Sequence, residues 1–503
     1  MNSHSYDRIG RVAIIGASLA GLFAAAAAAS AGYQVTLLER DDLGDETLAH
    51  PGVPQGRQPH VYLVRGLQVA EALLPGLGAD LRARGAVEFE STRLAWLTEA
   101  GWLPVRSSGL IGLSMSRPLF EQVVRRRVVE LEGVRLAAGH SVTGLRRADG
   151  PVRPWRVVTA RGEFEADIVI DAAGRGSRLT AWLSTLGVRE VPVEEVDARI
   201  GYAVREYTDV PDIDGLSGII VGFTPETGRG GLALPIEGGH WQVLASGAGD
   251  RRPPRDVAGY LAALRASRDP AMADFAARST PVGDVLIHRR NGNRRHRYEK
   301  CSDWPAGLLA VGDSFVSFNP VYGQGITVAA VDAMILQNGL SRSGASPMSV
   351  RRTRRLIRRI ARAAAVPWAV AVGQDLWQPT SVGEQNRVQK LTSGWVRELG
   401  RLSTYGNVRA QLTVARVFHM VVPPAALLHP ALLIASAGDR LRSRFGHSRP
   451  QAPRPDALDL LAMVEDPPEP PAITETVPST GSEDGDVPRI PAGYAVRTQP
   501  GPR

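Results

Sequence analysis

The chain has 503 residues, 44% hydrophobic and 22% charged, a length that asks for two or three domains and a composition typical of globular proteins, with no demand for a membrane span. Its formal net charge is +8, but Lys300 and Lys390 are the only lysines among 59 basic residues, and no nucleic-acid motif accompanies the arginines, so the charge does not read as a nucleic-acid surface. The single cysteine, Cys301, excludes an internal disulfide, a cysteine-rich zinc site and an iron–sulfur cluster, and suits a reducing cytoplasm.

The start, Met1–Gly10, is polar and lacks the basic segment of a signal peptide. Arg11–Ile15 reads as a short apolar strand, Ala20–Ala31 as a helix of small residues and Gln34–Leu38 as a second strand. Together they open a doubly wound sheet, and the alanine run Ala24–Ala29 is its first helix rather than a signal core. Asp41–Pro59 predicts a long loop, and Val61–Leu74 resumes helical periodicity. Leu94–Val105 predicts a hairpin turning at Glu99–Gly101, and Ser116 with Pro118 suits the start of a helix over Arg117–Glu132. Strands at Val134–Ala138 and Arg156–Ala160 lead to the apolar run Asp167–Ile170. From Val188 to Ile287 the pattern alternates, with strands at Ile200–Tyr207, Gly218–Thr224, Gly231–Pro235 and Trp241–Ser246. Leu308–Val311 returns to the first sheet, and the chain beyond Gly325 is mostly helical to about Met463.

Between the first strand and helix stands Gly16-Ala17-Ser18-Leu19-Ala20-Gly21. Gly16 permits the tight turn, Gly21 lets the helix approach the sheet, and the helix N-terminus offers free N–H groups to a pyrophosphate. Ser18 replaces the second glycine of the dinucleotide fingerprint, with a hydroxyl that can donate to phosphate. Glu39, at the end of the second strand, can accept hydrogen bonds from a ribose diol. These features fit FAD and NAD equally. The discriminating segment is Leu308–Gly325, where a strand ends in Gly312-Asp313 and a Pro320-x-x-Gly323-x-Gly325 turn enters a helix. Asp313 suits the ribityl chain of a flavin, and the Gly323–Gly325 backbone at a helix N-terminus suits negative charge on a reduced flavin ring.

The expected fold class is therefore α/β, a Rossmann-like FAD-binding domain with an inserted β-sheet substrate domain and a helical C-terminal region. The expected boundaries are 1–187 for the first part of the FAD-binding domain, with the 83–106 hairpin contributing to the substrate domain. Then come 188–287 for the sheet domain, 288–345 for the second part of the FAD-binding domain, 346–465 for the helical region and 466–503 for a disordered tail rich in Pro, Ser, Thr and Gly.

The Leu308–Gly325 segment resembles the Gly-Asp motif of FAD-dependent monooxygenases of the aromatic-hydroxylase fold, and Asp167–Ser177 resembles their middle motif, with Ala172 where many members have glycine. The chain is more closely similar to the flavin epoxidases of polyether antibiotic pathways, the monensin and lasalocid type. That likeness runs through Gly52–His60, Ser116-Arg117-Pro118-Leu119, Asp171–Arg178, Tyr202–Arg205, Pro235–Trp241, Asn293–Arg295, Trp304-Pro305 and Phe318–Gly323, over roughly residues 11–345. The resemblance implies one FAD and transfer of one oxygen atom from O2, by way of a C4a-hydroperoxyflavin, to a lipophilic polyketide or terpenoid. Alkene epoxidation is the expected reaction and aromatic hydroxylation the alternative. It places Glu39 and Arg40 at the adenosine, Arg57 and Arg117 along the cofactor, and Asp313 at the ribityl chain. Gln58 stands where the epoxidases usually have histidine, and His60 is the candidate catalytic residue near the flavin.

Halogenases related by fold need a lysine between flavin and substrate and carry a Trp-x-Trp signature, and no lysine precedes Lys300 and no two tryptophans are so spaced here. Isoprenoid-chain reductases of the same fold stay open as an alternative. Electrons are expected from NAD(P)H or a separate flavin reductase. The seven arginines between Arg351 and Arg362 make a basic amphipathic helix, read as a solvated face or as a dock for an acyl carrier protein or an anionic membrane surface. Val414–Ala437 is apolar, but Pro423, Pro424 and Pro430 argue against a spanning helix. No metal is expected.

Overall fold

The computed structural model describes residues 9–43, 50–148, 154–289, 291–341, 348–383, 387–447 and 449–462. The tail expected at 466–503 lies outside the described residues.

Five strands form a parallel sheet in the order Leu308–Ala310, Ile168–Asp171, Arg11–Ile15, Gln34–Leu38 and Val134–Ala137. Every residue of Ile168–Asp171 is buried, as a parallel strand covered on both faces requires. The helix Leu19–Ser30 has alanines from Ala24 to Ala28 that are almost wholly buried. Their small side chains let it lie between the sheet and the long helix Gln324–Leu340, with which it packs closely. Its start is tight: Gly16 has φ +98°, and a Cβ on Gly21 would lie 1.9 Å from the Gly16 carbonyl oxygen. This is the α/β architecture with a helical C-terminal region read from the sequence.

A second sheet has seven strands, in the order Thr280–His288, Ile200–Thr208, Trp241–Ala248, Arg229–Pro235, Gly218–Val221, Leu94–Thr98 and Gly101–Trp102. The hairpin around Glu99–Gly101 forms its edge, joined through a parallel pairing of Leu94–Thr98 with Gly218–Val221. Alternation alone suggested strands throughout this region, but two helices, Val257–Arg265 and Ala271–Ala277, interrupt it. Asp256 caps the first of them by accepting from the Gly259 N–H at 2.7 Å, and Tyr260, Leu264, Met272 and Phe275 are buried against the sheet.

The C-terminal helices run from Val350–Ala363 to Asp456–Ala462. On Val350–Ala363 the residues Leu356, Ile357 and Ile360 are buried, while Arg351, Arg355, Arg358 and Arg362 are exposed. The apolar segment 414–437 divides: His419 is buried on the body of the protein, whereas Leu428, Leu433 and Ile434 are exposed. No described helix is long and apolar enough to cross a membrane.

The close approach at Gly21 gives a first prediction. Gly21→Ala overpacks the turn and lowers stability by about 1–3 kcal/mol, whereas Gly394→Ala in the helix Arg387–Thr404, with nothing near its added Cβ, raises it by about 0.5–1 kcal/mol. Denaturant unfolding of the two variants measures both signs.

Candidate functional site

The carboxyl ends of the parallel strands gather the sequence-predicted residues into three groups. In the first, the turn after Arg11–Ile15 is anchored by the Gly16 N–H, which donates to the Leu38 carbonyl at 2.8 Å. Ser18 occupies the cap position of the first helix without capping it. Its hydroxyl instead donates to Glu121 Oε2 and accepts from the Arg117 guanidinium, both at 2.9 Å. Arg117 also pairs with Glu121 one turn along its own helix, at 2.9 Å. That helix, Arg117–Val129, starts where Ser116 accepts from the Leu119 N–H. Ser116 is tied to the second sheet as well, because its N–H and hydroxyl both donate to Glu237.

Glu39 is buried at the end of its strand and accepts from the Ala17 N–H at 2.8 Å and the Asp41 N–H at 3.0 Å. His50 sits between Glu39, Asp41 and Glu121. Burial alone would lower the His50 pKa, but hydrogen bonds to Glu121 and Glu39 raise it to about 9. Burial likewise opposes ionisation of Glu121, yet Arg117 and His50 bring its pKa down to about 2. Glu39 is also held below the ordinary carboxylate range, by His50 and the two backbone N–H groups against the effect of burial. Glu39, Asp41 and His50 bring ligand atoms within 4.8 Å of one another, but a protonated His50 makes this an ion-pair cluster. Arg40 is largely exposed beside Asp41, and Arg57 is exposed on its loop.

The second group joins the middle motif to Gly312-Asp313. Buried Asp171 accepts from the Ala173 N–H at 3.0 Å and from the Ser177 hydroxyl, and the Gly174 N–H donates to Ser314 Oγ at 2.9 Å. Burial pushes the Asp171 carboxyl up to about 6, against hydrogen bonds from Ser177, Ala173 and Ser314. The Gly312 N–H donates to Asp332 Oδ2 at 3.0 Å. Asp332 lies in the helix Gln324–Leu340, its Oδ1 has no partner among the described residues, and burial pushes it up to about 8. Asp313 is partly exposed, with the Arg175 guanidinium 3.6 Å away. Burial raises its pKa, and the charges of Arg175, Arg117 and Arg294 pull it back.

The third group is the turn Asn319–Gly323 and the helix it opens. Gly323 has φ +63° at the cap position, and a Cβ there would meet the Val61 carbonyl oxygen at 2.8 Å. Pro320 begins the turn. Nearby, His60 donates from Nδ1 to the Gln58 carbonyl at 2.7 Å and stacks on Tyr62. Burial, then the charge of Arg117, pushes the His60 pKa down to about 3. His60 is therefore neutral near pH 7, with Nε2 as an acceptor.

The residues fit an FAD. A Cβ on Gly325 would approach only Asp313 Oδ1, at 3.6 Å, and one on Gly176 would meet nothing within 4 Å, so space is open beside Asp313. The helix Gln324–Leu340 has no acidic residue in its first turn. Gln58 Oε1, Tyr62 Oη and Gln324 Oε1 are buried polar atoms without a partner among the described residues.

Sequence reasoning missed Glu121, His50, Asp332 and His419. The spacing of Arg117 and Glu121 by four on a helix was a readable signal. His419 had none: it reaches back across the chain to accept from the Val64 N–H at 3.2 Å through Nδ1, while Nε2 donates to Ser91 Oγ at 2.6 Å.

The FAD dependent oxidoreductase family matches residues 11–181, which include Gly16–Gly21, Glu39, Arg117 and Asp171. Protein Rv3254 of Mycobacterium tuberculosis is 32% identical over 346 residues, covering 65% of this chain and 72% of that protein. The chain belongs to this family of FAD dependent oxidoreductases. Squalene epoxidase 2, mitochondrial, of Arabidopsis thaliana is 28% identical over 341 residues, 65% of this chain, and the chain spans about half of that protein's length, 53%. Among solved structures, the flavin-dependent brominase Bmp2 superposes with a TM-score of 0.61 at 14% identity, covering 87% of this chain and 100% of that one. The anhydrotetracycline hydroxylase OxyS of Streptomyces rimosus gives 0.51 at 18% identity, covering 83% and 77%. At these identities the structures share the fold.

The buried carboxylates set a pH dependence. Folding raises the Asp332 pKa above its ordinary 3.8 to about 8, so the folded state binds more protons and stability falls as pH rises across that window. Asp332→Asn keeps an acceptor for the Gly312 N–H. It is expected to be more stable than the parent at pH 8.5, by a few kcal/mol on the order of the pKa linkage, and to flatten the decline of thermal midpoint between pH 5 and 8.5.

Proposed function

We propose that the chain is an FAD-dependent monooxygenase that places one oxygen atom of O2 in a lipophilic substrate, with epoxidation of an alkene in a polyketide or terpenoid as the reaction. The observation that carries the reading is the meeting of three groups at one sheet edge: Ser18 with Arg117 at one helix start, Asp313 beside open space, and the Gly323–Gly325 start of a second helix. FAD held by these residues would supply the activation of O2 that makes one of its atoms electrophilic. One atom of O2 goes to the alkene and the other leaves as water, with two electrons from NAD(P)H directly or through a flavin reductase.

The chain's own residues bind, orient and exclude water. Arg117, Ser18 and the first-helix N–H groups hold the diphosphate, and Glu39 accepts from the adenosine ribose. Asp313 holds the ribityl chain, and the dipole at Gly323–Gly325 favours negative charge at the pyrimidine edge. Neutral His60 would offer Nε2 as an acceptor to the bound flavin or substrate. Arg40 and Arg57, exposed as they stand, would contact the cofactor from solvent. The similarity to a squalene epoxidase favours epoxidation, and the scarcity of lysine disfavours the chemistry of the brominase whose fold is shared.

Purified protein supplied with NAD(P)H, a flavin reductase, a linear trisubstituted polyene and 18O2 tests this by mass spectrometry. The expected product is an epoxide carrying one labelled oxygen. Label on a ring carbon of an arene probe instead means hydroxylation, an unlabelled saturated chain means reduction, and protein that cannot be loaded with FAD defeats the proposal.

A further inference from the structure

The helix Ala365–Asp375 belongs to the C-terminal helical region, and its last residue, Asp375, is fully buried. The apolar residues of this helix, Trp368, Ala371 and Val372, pack into the main core, and Asp375 makes no part of that packing. Its carboxylate accepts from three donors instead: from Tyr322 Oη at 2.6 Å, from Asn293 Nδ2 at 2.6 Å and from Asn319 Nδ2 at 3.0 and 3.2 Å. Two of these donors lie in the turn Asn319–Gly323, and the third lies on the neighbouring strand Asn293–His296.

Asn319 is fully engaged in turn. Its N–H donates to Asn293 Oδ1 at 2.8 Å, and its own Oδ1 accepts from the Tyr202 hydroxyl of the second sheet and from the Val321 N–H. The Asp375 carbonyl accepts from Ser381 Oγ, which closes the helix end. Among the described residues no cation pairs with Asp375. A buried carboxylate served only by neutral donors is costly to fold, so its presence calls for a use that an apolar residue cannot supply. The use on the page is to gather three donors from the turn and its neighbour at one point.

We propose that Asp375 is a positioning residue that clamps the Asn319–Gly323 turn in the shape that receives the flavin ring, so that the C-terminal helical region completes a cofactor site built by the rest of the chain. This rests on the FAD reading above. Asp375 reaches the flavin only through Asn319 and Tyr322, and it fixes the backbone that leads into Gly323–Gly325.

The test moves the carboxylate from one partner to the other. Asp375→Asn alone sets an amide N–H against the donor of Asn293. Combining it with Asn293→Asp restores the match and the net charge. The carboxylate introduced at position 293 accepts from the Asn319 N–H and from the new amide at position 375, whose oxygen still accepts from Tyr322. Protein stripped of FAD is titrated with FAD by flavin fluorescence, and the absorbance spectrum of the bound flavin is recorded. The single variant is expected to bind FAD at least about tenfold more weakly, with an altered flavin spectrum, and the double variant to recover most of both. A single variant that is less stable to heat but keeps the parent's FAD affinity and spectrum overturns the proposal, as does a double variant no better than the single one. If Asp375→Asn fails to fold, Tyr322→Phe removes one donor and is expected to weaken FAD binding roughly severalfold, with parental affinity and spectrum counting against the clamp. A parent chain that takes up no FAD rejects the FAD reading itself, whereas a parent that binds FAD beside unaffected variants rejects the clamp alone.

Discussion

The site depends on how closely the first turn lies against the strand beside it. A Cβ on Gly16 would stand 2.7 Å from the Ala172 carbonyl oxygen, and one on Gly312 would stand 2.7 Å from the Ala20 Cβ. Only bare backbone lets the first helix, the middle motif and the Gly-Asp motif share one edge of the parallel sheet. From that contact follow the hydrogen bonds from the Ala173 N–H to Asp171 and from the Gly174 N–H to Ser314, and the placing of Asp313 beside open space. The alanines of Leu19–Ser30 serve the same end, since larger side chains would hold the helix Gln324–Leu340 away and move its N-terminus out of register with the turn.

Around this edge the charges are arranged in pairs. Arg117 and protonated His50 face Glu121, Glu39 and Asp41 in one cluster, in which His50 is held protonated and Glu121 and Glu39 are held ionised. Such clusters cost desolvation. Here the arrangement directs the Arg117 guanidinium to Ser18, at the start of a helix whose dipole already favours an anion. At the other end of the site the carboxylates Asp171, Asp332 and Asp375 have no such cations among the described residues, and burial pushes all three upward. One half of the site thus holds its carboxylates in ion pairs, and the other holds backbone turns in place with acceptors.

Much of this was legible in the sequence wherever local chemistry decides. The turn Gly16–Gly21, Glu39 at a strand end, and Gly323 before a helix are read from residue type and spacing, because backbone freedom and helix dipoles act within a few residues. The helices Val257–Arg265 and Ala271–Ala277 were missed because tertiary packing on the sheet overrides a pattern read as alternation. His50, Asp332, Asp375 and His419 were not legible, since each acts on a partner far away in the chain: His50 on Glu121, Asp332 on Gly312, Asp375 on Asn319, His419 on Val64. The expected contacts of Arg40 and Arg57 rest on resemblance, and both side chains are exposed.

The account stands or falls on where the cofactor lies. A crystal structure of the protein with FAD tests it most directly. The account predicts the diphosphate on Ser18, Arg117 and the first-helix N–H groups, the adenosine ribose on Glu39, the ribityl chain on Asp313 and the pyrimidine edge at Gly323–Gly325. An FAD whose diphosphate lies away from Arg117, or whose ring does not meet the Gly323–Gly325 helix start, would contradict it.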